Sequence, residues 1–206
     1  MQRLVFPEQA LPKPGDRPLR ASHPTLIAAH RAVLATRETM LARWLEWLGE
    51  RVTGTAMAPR DLVEAEFRLI LDVFATMVGP LRRETRTIWK QVTELYGRHA
   101  ADRGLAAGEV VEEMQYLREL LIRHLAPAIA EMRPRQGMAL LLRLNRLVDR
   151  GVAMAVVGYT DAMVATLLPN GDDHRPTGGD GPAAVRGRLD AIRHELATID
   201  QPHLTV

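Results

Sequence analysis

QGMALLLRLNRLVDRGVAMAVVGYTDAMVATLL, residues 136–168, is the stretch that decides the fold. Leu140, Leu141, Leu144, Leu147, Val148, Gly151, Val152, Ala155, Val156, Tyr159, Met163, Val164 and Leu167 recur at three-, four- and seven-residue spacings. Arg143, Arg146, Asp149 and Arg150 fall between them. This is the 3.6-residue period of an amphipathic helix. A helix from Gln136 to Leu168 spans roughly 33 residues, or ~50 Å at 1.5 Å per residue. A compact domain of about 150 residues has a radius of gyration of only ~15 Å. The helix therefore outreaches its own domain, and its apolar end calls for a partner, for which a second copy is the simplest choice. Val152, Val156, Tyr159 and Met163, with Trp44 and Trp47 upstream, are the candidate dimer-interface residues. Small shifts between paired long helices are a known route for a signal.

The residues before this stretch repeat the same period. A first helix begins near Ser22 and Pro24, an N-cap and first-turn pair. Its stripe is Leu26, Ile27, Val33, Leu34, Leu41, Trp44, Leu45, Leu48 and Val52, and Gly54 closes it. A second begins near Pro59 with Leu62, Val63, Phe67, Ile70, Leu71, Phe74, Met77 and Val78, and Gly79-Pro80 stops it. Proline lacks the amide the ladder needs and biases its predecessor away from helix. A third runs from about Arg82 to Asp102, with Ile88, Val92, Leu95 and Tyr96 inward and Arg82, Arg83, Arg86 and Lys90 as a basic stripe. Gly104 suits a left-handed C-cap. A fourth begins near Ala107. Glu109, Glu112 and Glu113 match the positive end of its dipole, and Val110, Met114, Leu117, Leu120, Leu121 and Leu125 make its core face. Pro127 is expected to kink or split it.

No segment alternates apolar and polar residues, so the expected class is all-α, a helical bundle with one long late helix and no sheet. The domain reading is a disordered Pro-rich arm at 1–22, a helical domain at 23–168, a flexible linker at 169–182 and a short helix with a tail at 183–206.

Composition removes several function classes. Of 206 residues, 47% are hydrophobic and 25% charged, enough for a core, but only 4% are aromatic, so Leu, Val, Ala and Met must fill it. There is no cysteine, which excludes disulfides, thiolate metal sites and a cysteine nucleophile. Ser22 is the only serine, which argues against serine hydrolase chemistry. The net charge of +2 is too small for a nucleic-acid footprint. The N-terminus has no apolar segment of signal-peptide length, and the longest apolar run, 151–159, is far short of the ~20 residues a membrane span needs. A protein of the cytoplasm, bound to neither nucleic acid nor membrane, is expected.

The chemical motifs are sparse. No glutamate has a histidine three residues later, as a di-iron bundle requires. His194-Glu195 opens a zinc-protease pattern, but Thr198 stands where the second histidine belongs. Gly179 and Gly181 follow no strand and do not form a phosphate loop. Asn145 and Asp149, among Arg143, Arg146 and Arg150, read as an ion-pair face. His30, His99 and His124 are the candidate ligands of a haem-binding globin, an alternative reading. His99 sits among Arg98, Asp102 and Arg103 and reads as solvent-facing. His194-Glu195-Leu196-Ala197-Thr198 is similar to the start of a histidine-kinase phosphoacceptor box, so a phosphotransfer protein using His194 is a second alternative; Ile199 replaces the usual proline. The leading expectation is a protein without catalytic residues, metal or cofactor.

Two regions together resemble one family. They are RETMLARWLEWL (37–48), and ELYGRHAADRGLAAGEVVEEMQYLRELLIRHL (94–125) followed by LLRLNRLVDRGVAMAVVGYTDAM (141–163). An Arg-Gly helix end, a helix opening on glutamate with an internal Leu-Arg, and a long helix with Asp and a later Tyr are similar to the RsbR/RsbRD N-terminal domain. That family supplies sensory domains to stressosome co-antagonists and to some histidine kinases. The resemblance implies a globin-like fold without haem, a homodimer, and a signal-input role in a bacterial stress or two-component-type system. The implied partner is a STAS protein, a switch kinase or a histidine kinase, met here as a separate protein. No functional residue carries across.

Overall fold

A computed structural model describes residues 20–51, 59–167 and 181–200. Six helices make up the fold: α1 (His23–Arg51), α2 (Arg60–Val78), α3 (Arg86–Asp102), α4 (Ala107–Ala130), α5 (Pro134–Leu167) and α6 (Pro182–Asp200). No strand occurs among the described residues. Most of the expected arm and linker, with Val52 and Gly54, lies outside them.

α2 is the hub. Besides its expected stripe, Glu66, Leu69, Val73, Ala75 and Thr76 are also buried, so its last three turns face protein on nearly every side, Arg68 and Asp72 excepted. Antiparallel to it runs α1, with Trp44 stacked on Phe67 at 3.8 Å and His30 Nδ1 donating to the Ala75 carbonyl at 3.0 Å. α3 returns along α2's other side, where Phe74 meets Trp89 edge-on at 5.8 Å. α4 runs antiparallel to α5, and Arg118 ties it to Asp149.

α3 and α5 are parallel and unusually close. The Trp89 indole donates to the Leu147 carbonyl at 3.2 Å, and Arg98 reaches Asp161 at 3.7 Å. Between these ties Gly97 faces the Ala155 carbonyl and Gly158 faces the Glu94 carbonyl, each without room for a Cβ. Backbone touches backbone there. The third glycine, Gly151, would place a Cβ 2.7 Å from the Trp89 ring.

The helix ends follow their local chemistry. Gly79 is extended at φ −70° and ψ −169°, as a residue before proline prefers. Gly104 has φ 79°. Its amide bonds Ala101 O and that of Leu105 bonds Ala100 O, the paired bonds of a Schellman end. Glu109 accepts from the Ala106 amide at 2.6 Å, so it does serve the start of α4.

Three expectations are corrected. α3 starts at Arg86, because residues 79–85 form bends and turns after Pro80. α4 passes through Pro127 unsplit: the proline lies in the last turn, exposed, where one missing amide costs a single ladder bond. Leu34 is exposed, and Ala29, Met40 and Thr25 are buried instead, a rotation of the α1 stripe toward α2. Glu113 lies near the start of α4, as expected there, and is buried. The short charged helix docks: Val185, Leu189, Ile192 and Leu196 of α6 bury one stripe against α2 and α3, and Arg186 pairs with Asp61.

Candidate functional site

The far end of α5 is the first place to look. Past Asp161, where Arg98 of α3 makes its contact, Met163, Val164 and Leu167 are exposed by 39, 45 and 72%, and Val157, one to three turns earlier, by 42%. Leaving such side chains in water forgoes about 25 cal/mol per Å² of apolar area. Of the six interface candidates, Met163 belongs to this exposed end. Val152, Val156 and Tyr159 are half-buried on the neighbouring turns, and Val152 and Tyr159 pack against the chain's own core. The other two are elsewhere. Trp44 is fully buried against Phe67 and offers nothing to a second copy. Its phase on α1 points at α2, which the three-residue spacing to Trp47 did not reveal. Trp47 is half-buried, stacked on Tyr116 of α4 at 4.6 Å.

A second feature lies inside the bundle. Five ionisable side chains meet between α2, α3 and α4. His99 Nδ1 donates to Glu66 Oε2 at 2.8 Å, with both residues buried. Beside them the Tyr96 hydroxyl donates to Glu113 Oε2, and Arg103 forks onto the same carboxylate at 3.1 and 3.4 Å. The Arg103 guanidinium also lies 5.7 Å from the centre of the Tyr96 ring, which itself packs on Phe67. Burial and the nearby Glu113 charge push the Tyr96 phenol well above its usual value. Burial opposes the Arg103 charge, but Glu113, Tyr96 and Glu66 outweigh it and raise its proton affinity. Glu66 Oε1, Arg103 Nε and Trp44 Nε1 are buried without a hydrogen-bond partner. The carboxylates pair with the cations while these three atoms stay unanswered; what the arrangement can do chemically is hold charge in the core.

His99 is thus corrected from solvent-facing to buried, at 3% exposure. Its sequence neighbours are polar, but its helical phase is that of Val92, Leu95 and Tyr96, and phase decides burial. The same signal marks the two glutamates that the sequence reading missed as core residues. Glu66 lies three and four residues from Val63, Leu62 and Ile70, and Glu113 three and four from Val110 and Leu117, both inside apolar stripes.

The remaining candidates are dispersed. His30 and His124 are half-buried, and His124 Nδ1 bonds the Leu120 carbonyl within its own helix. His194 is exposed on α6. A cleft of about 290 Å³ separates α3 from α6, lined by Glu94, Leu95, Arg98, Arg188, Ile192 and Glu195 among others; none of these histidines reaches it. Among the described residues no three His, Asp or Glu side chains converge as a metal would require, and no helix is long and apolar enough to cross a membrane. No known protein family, curated protein or solved structure matches the chain.

Proposed function

We propose that this chain is a non-catalytic signal-input or adaptor domain that acts as a homodimer through the distal half of α5. Its partner would be a regulatory protein of a bacterial stress or two-component-type system, a STAS protein, a switch kinase or a histidine kinase, in the cytoplasm. The resemblance of residues 37–48, 94–125 and 141–163 to RsbR-type input domains supports this assignment. The carrying observation is the exposed apolar end of α5, with Leu167 at 72%. A helix of 34 residues is ~51 Å long at 1.5 Å per residue, more than the body it belongs to can cover. In this reading the buried acids and bases are structural, Glu66 pairing with His99 and Glu113 with Arg103.

The test is the mass of the full chain by light scattering at micromolar concentration. A dimer is expected, and Val164→Glu with Leu167→Glu should yield a monomer of unchanged helicity. A parent chain that runs as a monomer overturns the proposal.

A further inference from the structure

The turn at residues 79–85 and the N-terminal part of α3 lie against the middle of α5, and this junction collects arginines. Trp89 fixes the register: its indole bonds Leu147 O and its ring abuts Gly151. Arg82 is thereby set within electrostatic reach of Arg86 and of Arg146 and Arg150, four apart on α5. Arg143, one turn back, is held as a floor by the last carbonyls of α2, donating to Met77 O at 3.1 Å and Gly79 O at 2.6 Å.

Nothing of opposite sign answers this charge. Among the described residues Arg82, Arg86, Arg146 and Arg150 form no ion pair with a carboxylate. The nearest acids by position are Asp149, which Arg118 holds, and the exposed Glu84. Burial, then Arg150, Arg86 and Arg146, lower the proton affinity of Arg82; burial and Arg82 lower that of Arg143 to about 10. The helix end adds to the field. α3 has no acidic residue in its first turn, and the Thr85 hydroxyl donates to Leu81 O at 2.7 Å rather than capping the free amides. Such amides carry the positive end of the helix dipole.

We infer that the junction of the 79–85 turn with α5 is a binding site for the phosphate groups of a small multivalent anion, gripped by Arg82, Arg86, Arg146 and Arg150. Guanidinium forks match phosphate oxygens in pairs. The ligand is read by its phosphates alone, because the one aromatic ring at the junction, Trp89, is buried and offers no face for a base to stack on. The patch spans only residues 82–86 and 146–150, which suits a compact anion and not the track of a nucleic-acid backbone. This inference is independent of the dimer proposal.

The experiment is calorimetric titration of the full chain with orthophosphate, pyrophosphate and a nucleoside triphosphate, at fixed ionic strength balanced with chloride. Pyrophosphate should bind with a raised melting temperature, and orthophosphate at least tenfold more weakly. Equal affinity for pyrophosphate and the triphosphate would assign the site to the phosphates. Arg82→Ala with Arg146→Ala should weaken pyrophosphate at least tenfold, with the loss of any ligand-induced rise in melting temperature read against the unliganded variant, since relief of repulsion and loss of the half-buried Arg82 stem act in opposite directions. Arg31→Ala with Arg43→Ala, on exposed α1 positions, should leave binding unchanged. No pyrophosphate binding at 10 mM, loss that is equal in both double variants, or a DNA duplex that binds and is not displaced by pyrophosphate would each overturn the inference.

Discussion

Glu113 is the residue on which the interior charge balance turns. It answers both Arg103 and Tyr96, so removing Arg103 strands a buried carboxylate. Breaking such a pair from one side costs about 3–5 kcal/mol, whereas replacing both partners by apolar groups is far milder. Arg103→Met should therefore lower stability by that amount in urea denaturation, and adding Glu113→Leu should recover much of it; a double variant no better than the single would refute the coupling. Tyr96 gives a second check at this scale. Its folded-state pKa lies above the ordinary 10.0, so the folded chain holds the proton that the unfolded chain releases. Stability from this source is complete below pH 10 and is lost as pH rises. In an alkaline titration followed by tyrosinate absorbance, parent and Tyr96→Phe should differ only once the chain unfolds. A difference that appears while the circular dichroism is still native would contradict this burial. These residues were the hardest to read beforehand. A charged side chain inside an apolar stripe looks like noise in the stripe until a second helix brings its counter-charge, and Glu66 meets His99 across 33 positions of sequence.

At the scale of elements, periodicity served well where each helix has one wet face. The expected inner residues of α2, α3 and α4 are all buried, and Gly104 adopts the conformation its position suggested. It served less well for α1, whose partner α2 is buried nearly all round and sets the contact by its own shape. Composition hid the closest contact altogether, since nothing in the sequence distinguishes a glycine that lets two backbones meet from one that merely fits. Gly97→Ala and Gly158→Ala each drive a methyl into a carbonyl of the facing helix. Overpacking typically costs about 1–3 kcal/mol, and a backbone neighbour cannot rotate away, so losses at or above the top of that range are expected in thermal melts. Gly108→Ala, with open space around it, should be neutral or slightly stabilising. Similar melting for all three would mean the helices are not in contact.

For the whole molecule, α6 is the element whose docking the sequence leaves open and the structure shows. Its buried stripe of Val185, Leu189, Ile192 and Leu196 seals the faces of α2 and α3. Leu189→Ala should cost about 2–5 kcal/mol, the range for a buried leucine, measured as a fall in denaturation midpoint; an unaffected midpoint would show that α6 is loose. The all-helical class was legible because 3.6-residue periodicity needs only one chain to express it. The candidate surface was partly legible: the apolar end of α5 shows in the sequence, while the burial of Trp44 required knowing which way α1 faces.

The meeting of α3 and α5 at Gly97 and Gly158 has one more effect. Side chains between helices act as cushions, able to absorb a tilt by changing rotamer, and here there are none. The pair is a single strut, with its foot at the arginine junction and its tip at Leu167. At this crossing a tilt of one helix meets the backbone of the other directly, with no rotamer change to take it up.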